Sequence, residues 1–260
     1  LALPVIVSNL SRVLMSLVDV AMVGRLGPEA LAAAGMGGML VWGALSIMLG
    51  VRTSVQTVSS RRLGQNKTKD CVKALNNGFL MATIYSIPVS LVCWFFGFVI
   101  IPLFVVDEIT TPLAISYFSI SSLGLFFNSI SFVFQGFFTG IEKTKVLLSV
   151  TISSNIINIY FNIGLIYGKN FISKISGDYF GEVFDISVFW FWAKFDGFGV
   201  TGAAIGTLIA SAWMMFQYYI YLNRQKIVKN NKGIMNVGFD KNMLIKQVKL
   251  SVPMGVQEMM

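Results

Sequence analysis

The chain has 260 residues, of which 55% are hydrophobic and 12% are charged, and its mean hydropathy is +0.72. Soluble domains keep roughly a quarter of their residues charged, so this composition excludes an ordinary soluble fold and indicates a membrane protein. The sequence has no histidine and no cysteine pair at zinc-ligand spacing. These absences exclude a serine–histidine–acid triad and a zinc framework, and we predict no enzyme activity.

Apolar segments of helix length follow one another along the chain. The first spans residues 3–23, and the charge-free runs that come next exceed the roughly 20 residues that cross a bilayer. Those runs cover residues 30–51, 74–106, 109–141, 146–168 and 197–223, and a further segment begins at Leu250. Backbone groups in lipid must bond within their own segment. We therefore predict an all-α membrane protein with six transmembrane helices and the start of a seventh, in which Pro88, Pro102 and Pro112 mark kinks or helix ends.

Basic residues are concentrated in alternate connections. The connection between helices two and three is predicted to hold Arg52, Arg61, Arg62, Lys67, Lys69 and Lys73. The positive-inside rule then puts the basic connections and the N-terminus in the cytoplasm. This bias accounts for the net charge of +8 without a nucleic-acid partner. We expect a multi-pass protein of the plasma (inner) membrane, in contact with lipid.

A short repeat divides the chain. LALPVIV at 1–7 and LSVPMGV at 250–256 share leucine, an aliphatic residue and proline in register. Parallel repeats of this kind are typical of transporters with a substrate site between the halves. We predict an N-terminal six-helix lobe at 1–222, a basic cytoplasmic linker at 223–249, and the start of a C-terminal lobe at 250–260. The chain ends inside an apolar segment, so we expect a longer protein with the C-terminal lobe as partner.

Asp19 lies inside the first apolar segment, five residues before Gly24. A charge at the bilayer centre costs roughly 2.5–3.5 kcal/mol on insertion scales. The side chain is therefore expected to be protonated, paired, bound to an ion or in contact with water, unless it lies at the outer interface. Arg12 is two helical turns away, about 10 Å along the axis, which is too far for an ideal ion pair.

Helix five carries Asn155, Asn158 and Asn162 on one face. Two interpretations stay open for them: hydrogen bonds between helices, or oxygen ligands that hold a cation together with Asp19. Helix six opens with small residues that favour close packing, and Thr207 is the first hydroxyl beyond them.

Several other residues are candidates for a drug-sized cavity. Asn128 and Gln135 on helix four, together with Met36, are expected to line it with Arg12 and Asn155, because adaptable surfaces rich in methionine suit varied ligands. The long connection 169–196 carries the aromatic stretch VFWFWAKF (188–195). This stretch is predicted to be an interfacial segment, and the alternative is a lid over the substrate.

The segment LALPVIVSNLSRVLMSLVDVAMVGRLGPEALAAAGMG (1–37) resembles the first two helices of the multidrug and toxic compound extrusion (MATE) family. Its specific features are a proline, an aspartate fifteen residues later, VGRLG and an alanine-rich stretch. Three further motifs resemble the family's helices four, five and six: FQGFFTGIEKTK (134–145), NIINIYFNIGLIYG (155–168) and GVTGAAIGT (199–207). The resemblance covers nearly the whole chain and about half of a family member, which has two six-helix lobes.

The resemblance implies export of organic, often cationic drugs in exchange for sodium or protons, with no other cofactor. It also implies a cation site at Asp19, Asn158, Asn162 and Thr207, a bending point in helix one at Pro4, and a possible helix-seven acid at Glu258. Members with the clearest site carry aspartate where Asn162 stands, and many carry a neutral polar residue at the position of Arg12. We therefore expect Asp19 to exchange a proton rather than to bind Na+.

Two other functions are alternatives to drug export. The first is a flippase for lipid-linked precursors from the same superfamily, which should line its cavity with several arginines and acids. The second is a seven-helix receptor or channel, which would normally place its N-terminus outside, against the charge bias.

Overall fold

A computed structural model describes residues 2–169, 189–190, 192–193, 195–230 and 238–259. Six long helices dominate the described chain, and each is long and apolar enough to cross a membrane. They are α1 (Ala2–Gly24), α2 (Pro28–Gly64), α3 (Thr68–Ile100), α4 (Thr110–Gly140), α5 (Thr144–Asn162) and α6 (Gly199–Arg224). The prediction of an all-α membrane protein with six spanning helices is confirmed.

Shorter elements terminate or extend these helices. A 3-10 turn, Ile101–Leu103, follows α3, and a π-helical turn, Ile163–Tyr167, follows α5. The short helix α7 (Lys226–Asn230) and the helix α8 (Lys241–Met259) complete the described chain. The turn between α1 and α2 needs Gly27, whose φ of 120° lies in the region that favours glycine.

The predicted prolines fall where helices end, with one exception. Pro102 lies in the 3-10 turn after α3, and Pro112 lies in the first turn of α4. Pro88, in contrast, lies inside α3, which continues past it. Two proline positions therefore mark helix ends, because proline lacks the N–H that a continuing helix needs.

Two predicted boundaries are wrong. Helix α2 continues to Gly64, so Arg52, Arg61 and Arg62 lie on the helix and not in a connection. Helix α8 begins at Lys241, not at Leu250. In both places a charge-free run is shorter than the helix, because a helix that leaves the bilayer carries charged side chains in its outer turns.

The interior is built around α2 and α4. Helix α2 packs against α4 and α8, α4 also packs against α3 and α6, and α5 packs against α1 and α6. At the centre Tyr218 stacks between Phe134 and Phe138, with ring centroids 5.8 and 5.9 Å apart. Helices α2 and α4 approach closely at Gly136, where any side chain would meet the backbone of Arg52.

Helix α1 packs against the other helices through a narrow stripe of buried side chains. Its buried residues are Ser8, Met15 and Val23, which recur every seven or eight positions and so lie on one face. The opposite face is apolar and exposed, from Leu3 to Val20. Asp19 is half-buried at the edge of the stripe, toward α5.

Polar contacts attach α8 to the first turns of α3. The side-chain amide of Asn77 donates to the Asp240 carbonyl at 3.0 Å, and buried Gln247 donates to the Ala74 carbonyl at 3.0 Å. Lys73 lies 3.6 Å from the Asp240 carboxylate. Hydrogen bonds from the backbone at the start of α8, together with the Lys73 ammonium, lower the pKa of Asp240.

Candidate functional site

A chain of hydrogen bonds joins the acid of α1 to α5 and α6. The Asp19 carboxylate accepts from the side-chain nitrogen of Asn162 at 2.9 Å. The same nitrogen donates to the amide oxygen of Asn158 at 3.0 Å, and the Asn158 nitrogen donates to the Thr207 hydroxyl at 3.4 Å. These four residues, here named the Asp19 cluster, were each proposed from the sequence, and the fold brings them together.

Small residues on α6 make the Asp19 cluster possible. A side chain at Gly206 would overlap the amide oxygen of Asn162, and one at Gly202 would overlap the Leu165 carbonyl. The packing interpretation of the small residues is confirmed, because only glycine lets α6 approach α5 this closely.

The hydrogen-bond directions within the cluster decide what it can bind. Asn162 presents its nitrogen to Asp19, and the Asn158 oxygen is already used as an acceptor. The Asn162 oxygen is buried and has no partner among the described residues. A hard cation requires several oxygens that converge on one point. In this arrangement Asn162 directs a donor nitrogen, not an oxygen, at the Asp19 carboxylate, and the Asn158 oxygen already accepts a hydrogen bond from that same nitrogen.

Asp19 and Arg12 do not pair with each other. The guanidinium of Arg12 donates to the side-chain oxygen of Gln135 at 3.4 Å. The ion pairs among Arg62, Asp70, Lys73 and Asp240 lie at the far end of the bundle and involve neither Asp19 nor Arg12. Each of the two intramembrane charges therefore has amide neighbours and no described counterion.

Two cavities meet at Asp19. The first has a volume of about 200 Å³ and lies between α1, α2, α4, α5 and α6. The second, of about 320 Å³, lies toward the turn between α1 and α2. Asp19 and Thr207 line both cavities.

Most of the predicted cavity residues line the first cavity. Arg12, Asn128, Gln135 and Asn155 do so together with Asp19. Asn155 donates to the Ser11 hydroxyl at 2.9 Å, and Asn128 donates to the Ser211 hydroxyl at 3.0 Å. The interpretation of the helix-five asparagines as contacts between helices thus holds for Asn155, which ties α5 to α1.

Met36 lines neither of these two cavities. Its side chain packs against the cluster that contains Ile101, Ala114 and Phe118, on the α3–α4 side of α2. In a helix of 3.6 residues per turn, position 36 lies away from Gly35 and Gly38, which line the second cavity.

Two further predicted residues, Pro4 and Glu258, lie near the two ends of the described chain. Pro4 is in the first turn of α1, and its carbonyl accepts from the Ser8 hydroxyl at 2.7 Å. Glu258 belongs to α8, but its side chain lies outside the described residues. Residues 170–188 of the long connection before α6 also lie outside the described residues.

The aromatic stretch before α6 packs on the end of α5. The Trp190 indole donates to the Tyr160 carbonyl at 2.8 Å, and the Trp192 indole donates to the Tyr160 hydroxyl at 2.8 Å. The Trp190 ring stacks on Tyr160 with centroids 5.5 Å apart. The described part of this stretch thus covers α5 and contributes no side chain to the two cavities.

Sequence reasoning did not find several cavity residues. Thr151 and Ser154 on α5 line the first cavity, and Tyr117 on α4 lines the second. Thr151 and Ser154 were detectable, because they precede Asn158 at helical spacings of seven and four. Tyr117 has no such signal, since its position depends on how α4 packs against α2.

Comparisons with known proteins agree with this geometry. The MatE family profile matches residues 4–163. The "Probable multidrug resistance protein NorM" of Photorhabdus laumondii is 28% identical over 219 residues, which are 82% of this chain and 43% of the relative. The "Multidrug resistance protein MdtK" of Cronobacter sakazakii is 26% identical over 205 residues, 75% of this chain and 44% of the relative.

The fold has close counterparts among solved structures. A crystal structure of MATE in complex with MaL6 superposes with a TM-score of 0.82 at 18% identity, and the match covers 99% of this chain and 51% of that one. The chain spans about half the length of the proteins that it matches. From the family match and the six-helix bundle, we conclude that the chain belongs to the MatE family, the multidrug and toxic compound extrusion transporters.

Proposed function

We propose that this chain is the N-terminal half of a secondary multidrug exporter that releases drug-like, often cationic compounds in exchange for a proton. The family membership and the names of the relatives support multidrug export. The observation that carries the coupling proposal is the position of Asp19, an acid without a described counterion where two cavities meet.

A proton fits the Asp19 cluster better than sodium does. A proton needs only the carboxylate, whereas Na+ needs several oxygens around it. The nitrogen that Asn162 directs at Asp19 repels a bound cation and stabilises an ionised carboxylate. When Asp19 takes up a proton, this charge-assisted hydrogen bond is weakened, and the link between α1 and α5 is weakened with it.

The weakening of the bond between Asp19 and Asn162 links proton uptake to the conformation of α1. The helix is attached by a narrow stripe, so the bond between Asp19 and Asn162 is a sizeable part of its attachment. Coupling requires that the two conformations of α1 bind the proton with different affinity. In this mechanism Pro4 is the bending point of α1, and drug and proton compete for the state in which the first cavity is open.

The substrate site is completed by the second half of the protein. The first cavity, about 200 Å³, is smaller than the roughly 300–1,000 Å³ of a drug-sized site. The C-terminal lobe would supply the opposite wall, across the exposed face of α1. Arg12 and Asp19 are the only charged residues described in the lining of this cavity. That small number favours a drug exporter over a flippase for lipid-linked precursors.

Dye export by the full-length transporter tests the proposal. Asp19→Asn keeps the size of the side chain and removes the exchangeable proton, so we expect active export to fall to the level of cells without the transporter. Asp107→Asn is the matched control, since this carboxylate is exposed in the connection between α3 and α4. Export by the Asp19→Asn protein at the rate of the control would remove Asp19 from the mechanism.

A further inference from the structure

A polar pocket lies where the last turns of α2 meet the first turns of α8. Its volume is about 270 Å³, and eight of its eleven lining residues are polar or charged. Its basic side chains are Arg61 and Arg62, in the last turn of α2, and Lys246, in the second turn of α8. None of the described residues that line this pocket lines either cavity beside Asp19. The pocket is therefore separate from the proposed drug and proton sites.

The two acids of this pocket already have a basic partner. The Lys73 ammonium lies 3.4 Å from the Asp70 carboxylate and 3.6 Å from that of Asp240. Arg61 and Lys246, in contrast, are exposed and form no ion pair with another described residue. Two positive charges, one on each helix, are thus available to a ligand that enters the pocket.

The position of the pocket in the membrane favours a lipid over a soluble anion. It lies at the end of α2 beyond the charge-free run 30–51, and on the predicted topology this end is in the cytoplasmic leaflet. Val58, one turn before Arg61, and Leu250, one turn after Lys246, line the side of the pocket toward the membrane. The neighbouring turns of α8 expose further apolar side chains, Val248 and Val252. A phospholipid with its phosphate in the pocket can therefore lay its acyl chains along an apolar surface.

We propose that the phosphate of an anionic phospholipid binds between Arg61 and Lys246 and ties α8 to α2. Basic pockets between membrane helices at the cytoplasmic side are typical sites for anionic headgroups. The Arg61 guanidinium can donate paired N–H groups to the phosphate oxygens, and the Lys246 ammonium binds them as a point charge. Because α8 contains the start of the predicted C-terminal lobe, the lipid strengthens the contact between the two lobes at the cytoplasmic side.

Lipid binding to the full-length transporter in detergent micelles tests the site. Dioleoyl phosphatidylglycerol is the anionic probe, dioleoyl phosphatidylcholine is the zwitterionic comparison, and native mass spectrometry of the lipid-bound fraction gives the Kd. One basic side chain near an anionic lipid changes the affinity roughly fivefold. We expect the Kd for phosphatidylglycerol to rise by about this factor in Arg61→Gln and in Lys246→Gln, and roughly 25-fold in the double variant. Arg61→Lys should keep most of the affinity, and the Kd for phosphatidylcholine should stay the same in all variants.

Lys145→Gln is the matched control, since Lys145 is exposed in the first turn of α5 and does not line the pocket. This variant should bind phosphatidylglycerol as the wild-type protein does. A loss equal to that of Arg61→Gln would indicate general attraction to a basic surface and overturn the inference. Equal Kd values in the wild-type protein and the double variant, the result expected if the C-terminal lobe covers the pocket, would also overturn it. Displacement of phosphatidylglycerol by millimolar inorganic phosphate would assign the pocket to a soluble anion instead.

Hydrogen exchange tests whether the bound lipid ties the two helices together. Phosphatidylglycerol, compared with phosphatidylcholine, should slow the exchange of amides in the first two turns of α8 in the wild-type and Lys145→Gln proteins, and it should have no such effect in the double variant. Equal exchange of these amides in the two lipids in the wild-type protein would contradict the tie between α8 and α2. Both measurements are made without transport, so their outcomes are independent of drug export and of its coupling to protons.

Discussion

Gly206 is the position at which a single methyl group should disturb the Asp19 cluster. The added carbon of Gly206→Ala would overlap the Asn162 oxygen and lie 3.3 Å from the Asn162 backbone nitrogen. The Asn162 amide must move, although its nitrogen holds both Asp19 and Asn158. Overpacking of this kind costs about 1–3 kcal/mol. The gain in helix propensity from glycine to alanine offsets at most about 1 kcal/mol of that cost.

Gly43→Ala is the matched control for this substitution. Gly43 is also inside a spanning helix, α2, and a side chain there meets no atom within 4 Å. We expect Gly206→Ala to unfold at a lower temperature than Gly43→Ala in detergent and to transport drugs with weaker dependence on the proton gradient. If the two alanine variants match in thermal stability and in export, the contact between α5 and α6 is not what positions Asn162, and the reasoning is refuted.

Three further predictions concern the coupling ion, the attachment of α8 and the topology. Asn162→Asp adds an oxygen-rich side chain beside Asp19, so export should become stimulated by Na+, as measured by sodium titration of dye efflux. The pKa of Asp240 is lowered from its ordinary value of 3.8 when α8 is docked. The Asp240 carboxylate therefore stabilises the docked α8 fully above about pH 4, and this stabilisation is lost as the pH falls through the lowered pKa. The protection of α8 amides against hydrogen exchange, relative to their intrinsic exchange rate at each pH, should therefore fall in acid for the wild-type protein, and Asp240→Asn should remove this dependence. An impermeant thiol reagent should label Lys143→Cys only from the cytoplasm and Asp107→Cys only from outside.

Each of these predictions has a control or a contradicting result. Sodium stimulation that is equal in the wild-type and Asn162→Asp proteins would count against the assignment of the coupling ion. The Lys73→Met protein should lose part of the acid sensitivity of α8, because it removes the ammonium beside Asp240. Cys71 is fully buried and Cys93 is half-buried, so the parent protein should give little labelling. Labelling of Lys143→Cys from outside would invert the predicted topology.

Local patterns along the chain predict much of this fold. Six apolar segments are detectable because the bilayer requires about 20 residues per helix. The common face of Asn158 and Asn162 follows from helical spacing alone. The resemblance to known transporters then supplied the partner on α1, and the bond from Asn162 to Asp19 has the expected participants.

Other features depend on tertiary packing. Met36 was assigned to the cavity because methionine-rich surfaces suit varied ligands. The pattern of α2 could not test that assignment, since apolar residues occur on all sides of the helix. The direction of the Asn162 amide depends on the approach of α6 at Gly206. The small residues of α6 predict close packing, but not which side chain of α5 they meet. The bond from Arg12 to Gln135 joins residues on α1 and α4 that are distant in sequence, and only the packed bundle brings them together.

Proton movement in proteoliposomes tests the central claim most directly. The full-length transporter would be reconstituted with a pH-sensitive dye inside, and a drug gradient would be applied without sodium. We predict that the wild-type and Asp107→Asn proteins couple drug movement to an opposite flow of protons, and that Asp19→Asn abolishes the proton flow. Proton flow of equal size in the Asp19→Asn protein, or strict dependence of drug movement on Na+ in the wild-type protein, would contradict the account.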